Sequence, residues 1–187
     1  MNTTWMGTRI YKSPFDMWVY QEILFEKRPD LVIETGTAFG GSALYLAHLM
    51  DILNHGEIVT IDVVANPVPV HPRITYINGS STDQAIVDLV KGRCENKSVM
   101  VILDSEHTMR HVLDELTVYS QVVTPNQYLI VEDTNINGHP VHKRFGPGPW
   151  EAVQGFRAEH SQFQIDKSRE KFLMSFNPGG FLLKSTE

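Results

Sequence analysis

Short apolar runs alternate along the chain with longer stretches in which apolar residues recur at helical spacing. Five runs predict strands, namely Leu31–Thr35, Ile58–Asp62, Ile74–Ile77, Val99–Asp104 and Tyr128–Asp133. The last two runs are almost unbroken by polar residues, which is typical of strands buried on both faces of a parallel sheet.

Helical periodicity fills most of the chain between these runs. The predicted helices cover Pro14–Lys27, Ser42–Leu53, Thr82–Val90, Met109–Gln121 and Trp150–His160. The first of them begins with proline after a serine, a common combination at a helix start. Alternation of strands and helices at this spacing predicts βαβ units and a doubly wound, mainly parallel α/β sheet.

The pattern changes near the end of the chain. Lys171–Phe176 and Phe181–Lys184 flank Asn177-Pro-Gly-Gly180, a strong turn signal, so we expect the chain to end in an antiparallel hairpin. No repeat or long polar linker divides the sequence. We therefore expect a single domain over residues 1–187, in which residues 1–28 form a helical segment that covers part of it.

Composition restricts the partners of the chain. Its 187 residues include 16 Lys and Arg against 22 Asp and Glu, a net charge of −6 that disfavours nucleic acid or an anionic membrane as the main partner. The single cysteine, Cys94, excludes an intrachain disulfide and a multi-cysteine metal site. No apolar run approaches the roughly 20 residues of a membrane span, so we expect a cytoplasmic protein. A homo-oligomer stays open.

The turn after the first predicted strand is rich in glycine. Ligands of open α/β sheets bind beyond the carboxyl ends of the strands, where the segment Glu34–Ser42 begins. Gly36 and Gly40 let the backbone turn tightly, and the helix that follows presents free N–H groups. The segment has neither the G-x-G-x-x-G fingerprint nor a P-loop lysine. These residues alone fit either a nucleotide-like ligand or close packing.

Polar residues also end the next two predicted strands. Asp62 stands where an acid can accept hydrogen bonds from both hydroxyls of a ribose. Gly79 and Ser81 belong to a small polar segment, residues 79–83, that could line an adenine. Both segments have an alternative interpretation, because Asp and Ser often cap helices or stabilise turns.

Three carboxylates follow the two most apolar strands. Asp104 ends one run, and Glu132 and Asp133 end the next. If these strands are neighbours, their ends lie about 5 Å apart, and a cation or a proton must offset the repulsion. An all-oxygen set suits Mg²⁺, with Mn²⁺ or Ca²⁺ as alternatives. Solvated or helix-capping acids are the other interpretation.

A histidine lies beside this predicted acidic cluster. His107 follows Asp104 by three residues, and an imidazole can accept a proton from a hydroxyl nucleophile near neutral pH. A surface histidine is the alternative, and His111 and His142 are weaker candidates for the base. The loop of residues 135–149 is rich in Gly and Pro, so it could be a functional cover or a plain connector.

Together these residues resemble those of S-adenosylmethionine-dependent O-methyltransferases of the Rossmann-like class I fold. The segment Glu34–Ser42 resembles the first motif of that class, in which an acid holds the methionine amino end beside a glycine turn. Nearly the whole chain resembles, more narrowly, the cephalosporin hydroxylase and rhamnosyl O-methyltransferase family. The matching segments are Trp5–Gly7, Ser13–Trp18, Leu103–Thr108, Val131–Thr134 and Gly146–Pro149.

The resemblance implies specific roles. It implies Mg²⁺ held by Asp104, Glu132 and Asp133, with His107 as general base and Asp104 as a second catalytic residue. The cofactor contacts that it implies are Glu34, Gly36, Thr37, Gly40, Ser42, Asp62, Gly79, Ser81 and Asp104. The implied partner is a small molecule with a hydroxyl acceptor, such as a sugar or a secondary metabolite.

Two other functions fit the same residues. A metal-dependent hydroxylase or oxidase would need a second histidine ligand for an iron triad, which only His139 could supply from the long loop. A non-catalytic S-adenosylmethionine-binding module would keep Asp62 and the glycine turn without acceptor chemistry.

Overall fold

The computed structural model describes residues 3–186. In chain order its strands are β1 (Thr4–Trp5), β2 (Thr8–Arg9), β3 (Leu31–Thr35), β4 (Glu57–Asp62), β5 (Ile74–Asn78), β6 (Val99–Leu103), β7 (Tyr128–Val131), β8 (Phe163–Ile165) and β9 (Phe181–Lys184). Its helices are α1 (Pro14–Lys27), α2 (Gly41–Leu53), α3 (Gln84–Arg93), α4 (Met109–Tyr119) and α5 (Pro149–Glu159), with a 3₁₀ turn at Lys167–Glu170.

Seven strands form one sheet in the order β5-β4-β3-β6-β7-β9-β8. The five strands from β5 to β7 pair in parallel, whereas β9 runs antiparallel to both β7 and β8. The predicted doubly wound, mainly parallel sheet is therefore confirmed. Strand order reverses at β3, which lies between β4 and β6, so the crevice for a ligand opens at the carboxyl ends of these strands.

The central strands are buried on both faces, as their apolar runs predict. Along β3, Leu31 and Ile33 belong to the apolar cluster beneath α4 and α5, whereas Val32 belongs to the cluster beneath α1 and α2. All three side chains are fully buried. Alternation of side chains across the strand thus supplies both cores and fixes which strand ends face the crevice.

The C-terminal antiparallel pair differs from the prediction in its first strand. The prediction of a strand at Lys171–Phe176 is wrong, because β9 pairs instead with β8 and β7. Leu173 in that segment is 96 % exposed and has a φ of +60°, which no regular strand adopts. The Asp16 carboxylate accepts the backbone N–H of Phe176 at 2.9 Å, so the segment is tied to α1 rather than to a strand.

The N-terminal segment contains more than the predicted helix. Strands β1 and β2 form a small antiparallel hairpin before α1. The Trp5 ring packs edge-on against Tyr45 with centroids 4.9 Å apart, and its Nε1 donates to Nδ1 of His48 at 2.9 Å. These contacts place the hairpin on α2, next to the carboxyl edge of the sheet.

Residues 1, 2 and 187 fall outside the described part of the chain, so the two ends of the expected domain are not covered. Within residues 3–186, none of the helices has both the length and the apolar character that crossing a membrane requires.

Candidate functional site

A cavity of about 670 Å³ opens at the carboxyl ends of β3, β4 and β6. Most of the residues predicted for the site line it, namely Gly36, Thr37, Ser42, Asp62, Gly79, Ser81, Asp104, His107 and Asp133. Three predicted residues lie behind its walls instead, namely Glu34, Gly40 and Glu132. The structure thus brings the two predicted half-sites, the glycine turn and the acids with His107, to one cavity.

Gly36 allows the glycine turn to approach the end of β6. Its φ is +87°, and a Cβ placed there would overlap the carbonyl oxygen of Asp104 and lie 2.6 Å from its carbonyl carbon. The backbone N–H of Asp104 in turn donates to the carbonyl of Thr35 at 3.1 Å. Glycine at this position therefore fixes the close contact that brings the two half-sites together.

Glu34 is fully buried beneath the turn rather than in the cavity. It accepts hydrogen bonds from the hydroxyl of Thr60 at 2.7 Å and from the hydroxyl of Ser42. Burial raises its pKa, and the charge of Lys12 and these hydroxyl donors partly oppose the rise. Glu34 thus orients Ser42, a residue of the wall, and its predicted direct contact with a cofactor stays a prediction.

Asp62, at the end of β4, lines the cavity beside the glycine turn. Its Oδ2 accepts the backbone N–H of Ala38 at 2.8 Å, and its Oδ1 accepts that of Val64 at 2.8 Å. These bonds hold the glycine turn against the end of β4. A carboxylate oxygen has two acceptor positions, so each oxygen still has one for a ligand hydroxyl.

A buried glutamate organises the wall beyond Asp62. Oε1 of Glu115 accepts from the hydroxyls of Ser81 at 2.6 Å and Ser105 at 2.7 Å, and lies 3.5 Å from Nε2 of His111. The contact with Glu115 raises the pKa of His111, although partial burial opposes it. Sequence reasoning missed Glu115 and Ser105. The spacing of four residues between His111 and Glu115 on one helix was the available signal.

The acids at the ends of β6 and β7 meet as the strand order predicts, because these strands are parallel neighbours. A cation already lies among them. Nζ of Lys12 donates to Oδ2 of Asp104 at 2.5 Å and also to Oε1 of Glu132, which accepts the Tyr20 hydroxyl at 2.6 Å as well. Lys12, which lies between β2 and α1, was not among the predicted site residues.

Burial dominates the electrostatics of this group. It raises the pKa of Glu132 to about 8, helped by the charge of Asp104 and opposed by that of Lys12. Burial also raises the pKa of Asp104. Burial by itself would lower the pKa of Lys12. The negative charges of Asp104 and Glu132 more than offset this effect, so the pKa of Lys12 is raised.

Asp104, His107 and Asp133 form a group that could hold a metal ion. One ligand atom from each lies within 4.8 Å of the others. Nε2 of His107 is 3.1 Å from Oδ2 of Asp133. Burial opposes protonation of His107, but the hydrogen bond to Asp133 and the charge of Asp104 outweigh it and raise its pKa. Glu132 faces Lys12 and Tyr20 instead of this group.

The N-terminal segment supplies a further wall, whose residues were not among the predicted site residues. Arg9, Ile10, Tyr11 and Lys12 all line the cavity. The guanidinium of Arg9 lies 4.7 Å above the ring of Phe39, in the glycine turn. Residues between β2 and α1 therefore contact the turn on one side of the cavity and the acids on the other.

The long loop before α5 is fastened by one carboxylate. Glu151 accepts from the backbone N–H of Gly148 at 2.8 Å, from Asn137 at 2.9 Å and contacts Nε2 of His139 at 3.0 Å. His139 also stacks on the ring of Trp150 at 4.1 Å. The histidine that an iron triad would require is thus engaged elsewhere, which disfavours the hydroxylase alternative. The role of the loop as a cover stays a prediction.

Comparison with known proteins identifies close sequence relatives. Residues 1–185 match the family model described as rhamnosyl O-methyltransferase/CmcI. The rhamnosyl O-methyltransferase of Mycobacterium leprae is 42 % identical over 97 % of this chain and 83 % of its own length. That of Mycobacterium tuberculosis H37Rv is 41 % identical over 98 % of this chain and 78 % of its own length.

Solved structures share the fold at lower identity. A structure of CmcI with Mg and SAM has a TM-score of 0.78 and 20 % identity, over 98 % of this chain and 77 % of that one. The MycE methyltransferase of the mycinamycin pathway, in complex with Mg, SAH and mycinamycin VI, has a TM-score of 0.57 and 19 % identity, over 73 % of this chain and 40 % of that one. These similarities confirm the expected Rossmann-like class I sheet.

Proposed function

Because the chain belongs to the rhamnosyl O-methyltransferase/CmcI family, we propose that it is an S-adenosylmethionine-dependent, Mg²⁺-assisted O-methyltransferase that acts on a hydroxyl of a small molecule. The observation that carries the proposal is a single cavity at the switch point of the sheet. One side of it has the glycine turn and Asp62, which suit a nucleoside. The other has buried acids and a histidine, which suit an acceptor hydroxyl.

The cofactor would occupy the side formed by β3, β4 and β5. We assign Asp62 to the ribose hydroxyls, and its two backbone contacts, which keep its carboxylate oriented, support this role. Ser81 donates its single hydroxyl hydrogen to Glu115, so toward a ligand it can only accept. The exocyclic amino group of adenine is a donor whose hydrogen bond the hydroxyl oxygen of Ser81 could accept.

The acids fit a divalent cation. These acids already accept a cationic group, since the ammonium of Lys12 contacts both Asp104 and Glu132. Asp104 and Asp133 would hold Mg²⁺ with oxygen ligands, and Glu132 would complete the set after releasing Lys12. Bound Mg²⁺ supplies Lewis-acid chemistry that lowers the pKa of an acceptor hydroxyl and orients it.

We assign to His107 the role of receiving the proton of the acceptor hydroxyl. When Nε2–H donates to Asp133, Nδ1 of the neutral ring is the acceptor nitrogen. The proton would move to Nδ1 of His107 as the acceptor oxygen bonds to the methyl carbon, and the carbon–sulfur bond would break to release neutral S-adenosylhomocysteine. Asp133 then stabilises the imidazolium that forms, and the cavity holds the reacting atoms in line.

The proposed acceptor is a sugar hydroxyl. Relatives at 41–42 % identity are named rhamnosyl O-methyltransferases, and the MycE complex contains a mycinamycin. A rhamnoside is therefore the first acceptor class to test, followed by glycosylated secondary metabolites.

Calorimetric titration with S-adenosylmethionine and then Mg²⁺ tests the proposal. The unaltered protein should bind both ligands, and Asp104→Asn should lose Mg²⁺ binding. His107→Ala is the matched variant, because it should bind the cofactor normally yet form S-adenosylhomocysteine about 10²–10⁴-fold more slowly with a rhamnoside acceptor. Cofactor binding without metal binding would refute the metal assignment, and full turnover by His107→Ala would refute the base.

A further inference from the structure

The side chain of Lys12 is almost completely enclosed by the acid cluster. It is 4 % exposed, and its Nζ donates to Asp104 at 2.5 Å and to Glu132. The carboxylate of Glu132 is itself 6 % exposed. Two buried acids without a counter-charge would repel each other, and the ammonium of Lys12 offsets that repulsion.

Lys12 and a divalent cation require the same oxygens. Oδ2 of Asp104 belongs to one of the acids that would hold a metal, and Oε1 of Glu132 is occupied by the ammonium and by the Tyr20 hydroxyl. Two cations at neighbouring positions on the same carboxylates repel strongly where water is excluded. Any metal that gains Glu132 must therefore displace Lys12.

We infer that Lys12 is an internal counter-cation that competes with Mg²⁺ for Asp104 and Glu132 and thereby weakens metal affinity. This inference rests on the proposed function in assigning Asp104 and Glu132 to the metal site. Because Lys12 belongs to the segment that walls the cavity, its contacts with the acids also hold this wall in place when no metal is bound.

Calorimetric Mg²⁺ titrations of two variants at pH 8.5 test the inference. Lys12→Met removes the charge, and we expect Mg²⁺ to bind about tenfold tighter or more, a size common for coupling between two sites. Tyr20→Phe is the matched control, because it removes a neutral donor from the same oxygen of Glu132. Its Mg²⁺ affinity should stay close to that of the unaltered protein. Unchanged or weaker binding by Lys12→Met overturns the inference.

The outcomes of this experiment distinguish a failure of the inference from a failure of the proposed function. If Asp104→Asn abolishes Mg²⁺ binding but Lys12→Met leaves the affinity unchanged, the metal site stands and the competition is refuted. If Mg²⁺ binds neither the unaltered protein nor Lys12→Met, both are refuted.

A measurement on the unaltered protein covers the case in which Lys12→Met does not fold. Acylation by N-hydroxysuccinimide acetate, read by mass spectrometry of the peptide that contains Lys12, reports whether its amine is engaged. We expect slow acylation without metal and faster acylation at saturating Mg²⁺. Equal rates in the two conditions overturn the inference, and Lys91, whose Nζ donates to Oε1 of Gln121 in an exposed hydrogen bond, is the internal reference.

Discussion

Replacement of Gly36 by alanine tests how the turn and β6 are joined. The φ of +87° alone costs an L-residue about 1–2 kcal/mol. The new methyl group would also overlap the carbonyl of Asp104, which is backbone and cannot rotate away, and such overpacking costs about 1–3 kcal/mol. Gly36→Ala should therefore lower the free energy of unfolding by about 2–5 kcal/mol, a large part of the usual stability of a domain.

Two other glycines separate the causes. Gly146 has a φ of +98° but open space around its Cβ position, so Gly146→Ala should show the conformational cost alone, about 1–2 kcal/mol. Gly92 lies in α3 with nothing within 4 Å, so Gly92→Ala should be neutral or stabilise the protein by up to about 1 kcal/mol. Urea denaturation followed by circular dichroism measures all three. Equal losses for Gly36→Ala and Gly146→Ala would refute the importance of the close contact.

Three further substitutions test the remaining contacts. Asp62→Ala should weaken S-adenosylmethionine binding about 10–100-fold in a calorimetric titration, because hydrogen bonds to a charged acceptor are lost; unchanged affinity would assign Asp62 to the turn alone. His111→Gln should cost about 0.5–1 kcal/mol below pH 6.5. Since the folded pKa of His111 is raised, that cost should fade as the pH rises through it, and a pH-independent cost in urea titrations would contradict the pairing with Glu115. Glu151→Ala should cost about 1–2 kcal/mol at neutral pH. Because the folded pKa of Glu151 is lowered to about 2, the cost should vanish as the pH falls from 4.5 toward that value, which acid unfolding curves can check.

The sequence predicted the features that follow from strand periodicity. Asp104 and Asp133 end neighbouring parallel strands, so their approach follows from where the two apolar runs stop. Asp62 was predicted on the same ground. The turn signal at Asn177–Gly180 also indicated the last strand correctly, because it immediately precedes β9.

Other residues depend on tertiary contacts that no local pattern records. Lys12 lies in a short irregular segment, and its approach to the acids follows from how the N-terminal hairpin packs on α2. The position of Glu115 depends on which face of α4 meets the loop after β5. The segment before the last turn is rich in apolar residues, yet it forms no strand, and the carboxylate of Asp16 accepts the backbone N–H of Phe176 there.

The sequence separation of the Lys12 contacts indicates when they form during folding. Lys12 meets Asp104 and Glu132 across 92 and 120 positions of the chain. Contacts of such long range form late, after the loops between them have closed. The contacts of Lys12 with the acid cluster therefore exist only once the sheet has been assembled as far as β7. Ligands of the cavity can then stabilise the finished chain by mass action, but they have no site on which to assist its early folding.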